Sequence, residues 1–425
     1  MDSDSFHRVA KMLADSGEVA TIEEAEAVLA TYGVRVVLDQ SVEDDPSLQI
    51  IALTVINTAS RSFLGNVCIE APGDTVLCAS GYEGRTLSEF AEWVGVSPAP
   101  SAHAWAWPEI HISNHHGPAG LAIRPWADGW SFGLGRRNAR AGTCFAPSSV
   151  AAGGLAVSEA FSLMRRDNPY AGHRAITLSL WAPGEQRADS GPTTDTVTMP
   201  SSWLVGLGHL GQAYAWTLGF MAQAEGATLV LQDIDIVTKS TLSTSLLSAV
   251  TDVGRKKARI VAQWLEARGY STSVVERRFD QFQRVNPTEP SLALFGVDNA
   301  AARRVVEGAG FETVIDAGLG SGFKDFRAIR VRTFPGPSSA AALWAGEDGG
   351  LSATNAPAYQ ALLSQGADPC GVTILATRAV GAPFVGCVAA GYVIAQLLSR
   401  QLGANGHAVV DLNLRDPVAM QVIPA

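Results

Sequence analysis

The chain has 425 residues, 47% of them hydrophobic and 17% charged, with 42 glycines, 21 prolines and a formal net charge of −10. That composition supplies core material for two or three globular domains. The acidic balance and the lack of any basic cluster exclude nucleic acid as the main partner, since phosphate binding needs grouped Lys and Arg.

The N-terminus, MDSDSFHRVAKML, carries acids where a secretory signal carries bases, and no run of 18 apolar residues follows it. The expectation is a cytoplasmic protein without a membrane span. Residues 379–398, the most apolar tract, are interrupted by Gly381, Pro383, Gly386, Gly391 and Gln396 and read as a buried core helix. Five cysteines (Cys68, Cys78, Cys144, Cys370, Cys387) are scattered without a C-x-x-C, which supports neither a disulfide framework nor a structural zinc site.

In chain order, residues 21–31 read as a capped helix, QIIALTVI over 49–56 as a buried strand, and 88–94 as a helix. A short strand is expected within 129–134, a small-residue helix near 150–164 and a strand over 175–181. A polar stretch, 183–200, reads as a linker, giving an expected division into 1–183, a linker 184–200 and 201–425. Beyond it, strands and helices alternate: WLVGLG, LGQAYAWTLGFMAQA, ATLVLQDIDIV, GRKKARIVAQWLEARGY, SVVERRF, SLALFGV, NAAARRVVEGAGF and TVIDAGL. Such alternation predicts a doubly wound α/β domain on a parallel sheet. An internal echo joins the halves: Ala146-Pro147 precedes VAAG, and Ala382-Pro383 precedes a second VAAG at 388–391. Either two small-residue helices happen to look alike, or the halves are related domains.

Gly206, Gly208 and Gly211 follow an apolar strand and open a helix, the context of a phosphate-binding glycine turn. Asp233 and Asp235, at the end of the next strand, are placed to accept ribose hydroxyls. These features alone fit a nucleotide or a dinucleotide.

The stretch that follows, with Asp252-Val253-Gly254 and Lys257-Ala258, resembles the ThiF/MoeB/ubiquitin-activating (E1-like) superfamily. Asp298-Asn299 followed by Arg303 extends the resemblance, which runs in order and spacing from about Trp203 to Gln401. It implies a Rossmann-like adenylation domain using ATP and Mg²⁺. By the same resemblance, Lys257 meets the phosphates, Asp298 holds the magnesium and Arg303 belongs to the nucleotide site. The first half then reads as a smaller, degenerate copy, as in the activating enzymes of bacterial ubiquitin-like conjugation operons, some of them antiphage. The implied partners are a ubiquitin-like protein or peptide and an E2-like conjugating protein. Cys370, ahead of GVTILA, is the expected acceptor thiol, because a helix N-terminus there favours a thiolate.

The family's asparagine, asparagine, arginine and glutamine are here Thr241, Ser243, Thr244 and Ser245. A phosphate-contacting arginine is therefore missing, with Lys239 or a first-half arginine such as Arg8 as the replacement. Three rivals follow: an adenylyltransferase for a peptide or sulfur carrier that needs no cysteine, a weak pseudo-activating scaffold, and an NAD-dependent oxidoreductase. The D-V-G-x-x-K-A and D-N-x-x-x-R stretches argue against the last.

Overall fold

A computed structural model of the protein describes residues 6–96, 104–115, 122–135, 144–186, 191–320, 322–345 and 354–425. Parts of the expected linker (187–190) and of the loop before Cys370 (346–353) lie outside them.

The first half begins with α1 (Lys11–Ser16) and α2 (Ile22–Leu29), the latter capped by the Thr21 side chain. Then come β1 (Val34–Leu38), α3 (Pro46–Ser62), β2 (Val67–Glu70), α4 (Leu87–Trp93), β3 (Glu109–Ile112), β4 (Pro125–Asp128), β5 (Ser131–Leu134), α5 (Ala146–Arg165) and β6 (Ile176–Ser179). The strand expected over 49–56 is instead the centre of α3, and the true first strand is β1. Asp45 caps α3 by accepting from the Ser47 and Leu48 amides, and Pro46 opens its first turn, where no backbone donor is lost. A helix buried on almost every side is apolar without a period, so its pattern is the same as that of a buried strand.

The second half runs β7 (Ser202–Val205), α6 (His209–Leu218), β8 (Leu229–Gln232), α7 (Lys257–Glu266), β9 (Thr272–Val275), β10 (Leu292–Phe295), α8 (Ala300–Arg304), β11 (Thr313–Leu319) and β12 (Ala328–Phe334). It closes with α9 (Ala340–Leu343), α10 (Pro357–Ser364), α11 (Pro369–Thr377), α12 (Pro383–Gln401), β13 (His407–Asn413) and β14 (Asp416–Pro424). Its eight strands lie in the order β14-β13-β12-β11-β10-β7-β8-β9, parallel from β11 to β9 and antiparallel beyond. α12 is long and apolar enough to cross a bilayer, but it is buried within the protein against α5 and α6, as expected of a core helix.

The halves repeat one topology. In the first, β2-β1-β3 is parallel and β4-β5-β6 antiparallel, and the Ile110–Ile123 bridge joins the two sets. The resulting order, β2-β1-β3-β4-β5-β6, is that of β8-β7-β10-β11-β12-β13 in the second half, with matching strand directions. α3 corresponds to α6, and α5 to α12. These last two hold the echoed sequences and pack reciprocally. A Cβ on Gly154 would lie 2.6 Å from the Phe384 carbonyl, and one on Gly391 would lie 2.8 Å from that of Pro147. One hydrophobic core runs through both halves, from Phe6 to Leu414.

Candidate nucleotide site

The site forms where β7, β8 and β10 end side by side, the usual ligand position on an open α/β sheet. Gly206 sits at φ +82°, and a Cβ there would meet the Val297 amide at 2.9 Å. A Cβ on Gly211 would lie 2.0 Å from the Gly206 carbonyl, so this glycine lets α6 close onto the turn. At Gly208 a Cβ would meet nothing within 4 Å. That glycine faces open space at the start of α6, whose first turn carries no side-chain cap. Free amides and the helix dipole there suit an anion. The matching helix of the first half is different: the Asp45 carboxylate fills the α3 N-terminus, and Asp39 is satisfied by the Ser41 amide and the Ser41 and Ser113 hydroxyls. Acids thus occupy the place in the first half that is open at the start of α6.

Asp233 accepts from the Leu207 amide at 2.6 Å and the Asp235 amide at 2.7 Å, tying the end of β8 to the glycine turn. Burial raises its pKa, and the charge of Lys257 opposes the rise. Asp235 is exposed and receives Lys257 Nζ at 3.1 Å, while Lys256 donates to the Ile234 carbonyl. Lys257 opens α7, so its stem is fixed by the helix and its ammonium faces Asp235. Asp298, exposed one residue beyond the Gly206 contact, has no hydrogen bond or ion pair with any described residue, leaving its oxygens available to a hard cation. Its neighbour Asn299 caps α8 by accepting from the Ala301 amide.

Arg303 is engaged differently. It pairs with the buried Asp316 at 3.0 Å, donates to the Ala317 carbonyl at 2.7 Å and lies over the Trp344 ring. That arrangement ties β11 to the C-terminal end of α9. Cys370 is exposed at the second position of α11, so a helix does begin there, with Asp368 accepting from the Gly371 amide. At the other end of α11, Arg378 donates to Ser240 Oγ of the loop after β8. Eight residues of helical rise separate the two, about 12 Å. Cys387 is buried in α12.

Sequence reasoning left three groups aside. Gln212 donates to the Leu207 carbonyl and to Ser248 Oγ and accepts from the Leu247 amide, locking the glycine turn to the polar loop over 238–248. Arg61 and Asn57 of α3 reach the same loop from the first half. No motif marks them, because their partners are backbone carbonyls far away in sequence. Arg8, singled out from its position near the chain start, lies at the loop as well. Its amide donates to Ser243 Oγ and its Nη1 to the Ala379 carbonyl. A Cβ on Gly381 would lie within 4 Å of Thr244, His209 and Arg8, so these three residues ring one spot beside the start of α6.

The fold and the glycine turn define a two-domain protein of the ThiF/E1-like class. Residues 33–180 match the BilD N-terminal domain and residues 199–404 the BilD C-terminal domain. The chain is 37% identical over 424 residues to the bacterial E1-like protein BilD of Collimonas sp. (strain OK412), covering 96% of this chain and 91% of that protein. It belongs to the BilD family of bacterial E1-like proteins. Among solved structures it is similar to E. coli MccB, at 15% identity and a TM-score of 0.33, over 53% of this chain and 64% of that one. It is also similar to E. coli TcdA, a tRNA N6-threonylcarbamoyladenosine dehydratase, at 14% identity and a TM-score of 0.32, over 48% of this chain and 86% of that one. The chain thus spans less than two thirds of the MccB chain.

Proposed function

We propose that this protein uses Mg·ATP in the cytoplasm to adenylate the C-terminal carboxylate of a ubiquitin-like protein or peptide. The observation that carries the reading is the uncapped start of α6 beside an unpaired Asp298 and the Asp235–Lys257 pair. In this reading the turn at Gly206, Gly208 and Gly211 holds phosphates, Asp233 or Asp235 meets the ribose, Lys257 leaves Asp235 for the phosphates, and Asp298 takes the magnesium. Arg303 acts on the site through Asp316 and Trp344. Arg8, beside Thr244, stands in for the missing arginine. The substrate carboxylate attacks the α-phosphorus, pyrophosphate leaves, and an acyl adenylate forms. Its acyl group then passes to the Cys370 thiolate with release of AMP, before an E2-like protein receives it. Five free cysteines support a reducing compartment.

ATP–pyrophosphate exchange tests the reading, with candidate ubiquitin-like proteins supplied one at a time. Exchange that needs a substrate tail and disappears in Asp298→Ala is the expected result. Partner binding without exchange would favour the scaffold reading, for which Thr244 in place of arginine is the specific observation. The rival is an adenylyltransferase that forms no thioester. Cys370→Ala separates the two, since it keeps exchange in both cases and loses a thiol-sensitive adduct only if the thioester exists.

A further inference from the structure

Arg61 lies on the last turn of α3, half-buried between the two halves of the chain. Its Nη1 donates to the carbonyls of Leu242 at 2.7 Å and Ser248 at 3.1 Å, and its Nη2 to that of Leu246 at 3.0 Å. Nε donates to Asn57 Oδ1 at 2.9 Å, and Asn57 Nδ2 donates in turn to the Leu246 carbonyl at 3.2 Å. The Arg61 carbonyl is itself held by His7 Nε2 at 2.9 Å. Every acceptor of the guanidinium is neutral, and no carboxylate among the described residues pairs with it. Burial lowers its pKa to about 10, which leaves it charged at neutral pH. A cation drawn out of water and given only neutral partners is costly, because nothing cancels its charge.

The carbonyls that Arg61 grips flank Thr244, the position at which the loop lacks an arginine. The loop's other side is held by Gln212, which reaches the glycine turn at Leu207. Arg61 is thus one carbonyl and one side chain removed from the phosphate turn. We propose that Arg61 is a positioning residue that adds, from the other half of the chain and from behind the loop, a second positive charge beside that of Arg8, so that the site favours a triphosphate. This rests on the nucleotide reading above. It also gives the first half a part in the site that does not require it to bind nucleotide.

The test is calorimetric titration of the full-length protein with Mg·ATP and, separately, with adenosine, which lacks the phosphates. Arg61→Gln keeps one donor for the loop but removes the charge, and Arg61→Met replaces it if the Gln variant does not fold. The expected result is ATP affinity lowered about tenfold, the scale of one unit charge acting over about 10 Å at an effective dielectric of 20, with adenosine affinity within about twofold of wild type. Arg61→Lys, which restores a charge without the fork geometry, is expected to recover most of the loss. Equal weakening of ATP and adenosine would mean that Arg61 only shapes the loop, and no weakening of either would mean that it does neither; both outcomes overturn the inference while leaving the nucleotide reading intact. A wild-type protein that binds neither ligand removes that reading and the inference together.

Discussion

Gly211 carries the narrowest tolerance of the three motif glycines, because a Cβ there would be 2.0 Å from a backbone carbonyl that cannot rotate away. Ala is the better helix former by about 1 kcal/mol, but forcing the turn open costs about 1–3 kcal/mol, so Gly211→Ala is expected to be net destabilising in urea unfolding. Gly208→Ala meets no obstacle, and any loss there is expected in nucleotide affinity rather than in unfolding midpoint. Two histidines set a pH dependence. Burial lowers the pKa of both His7 and His209 to about 4, and the nearby charge of Arg8 adds to the effect at His209. The unfolded chain binds these protons near pH 6.5, whereas the folded chain does not until about pH 4, so stability falls as pH drops through that window. Urea midpoints between pH 7.5 and 5 are expected to decline, and His209→Gln is expected to flatten the decline. An unchanged slope in that variant would remove His209 from the account. The place of the three glycines between β7 and α6, and of Asp233 and Asp235 just after β8, was legible in the sequence, because spacing after a strand is a local signal. Arg61 and Gln212 were not, since their roles depend on the groups of the 238–248 loop that the fold brings to them.

At the scale of elements, α5 and α12 cross with each glycine set under the other helix's first turn. Gly154→Ala is expected to lower stability by about 1–2 kcal/mol net, because the clash is with the fixed Phe384 carbonyl and outweighs the gain in helix propensity. A neutral or raised urea midpoint would show that the pair can separate at little cost. α3 and α12 read alike as apolar runs, yet only α12 could be assigned correctly. A helix of 19 residues is too long for a strand, whereas eight apolar letters fit either element. The information that decided α3 was the Asp45-Pro46 start just upstream, a cap and a first-turn proline.

For the whole molecule, the shared core predicts a single unfolding transition. Trp216 of the second half donates to Thr54 Oγ1 of the first, the buried Arg327 reaches Ser162 and pairs with Asp167 of the first half at 2.8 Å, and Trp130 Nε1 fixes the Pro192 carbonyl of the connecting stretch. Tryptophan fluorescence and far-ultraviolet circular dichroism are therefore expected to report coincident urea transitions. Two separated transitions would mean that the halves fold as independent units. The buried Lys11 adds a further tie, with its ammonium on Asp15, the Tyr359 hydroxyl and the Ala376 carbonyl, so that α1 holds α10 and α11 in place. By itself the sequence determined the second half's α/β alternation, the glycine turn, the two acids after β8 and the acid after β10. Each of these is a local pattern in which a strand, a turn and a helix start impose residue types a few positions apart. Only the tertiary structure decided that the first half repeats the strand order of the second, that Arg303 is bound to Asp316, that Cys370 and the Arg378 contact to Ser240 stand at opposite ends of α11, and that α3 lends an arginine to the loop. Those facts depend on which partners the fold brings together, from 13 positions apart for Arg303 and Asp316 to more than 180 for Arg61 and the loop, or on where a helix end comes to rest, and neither leaves a period or a spacing in the chain.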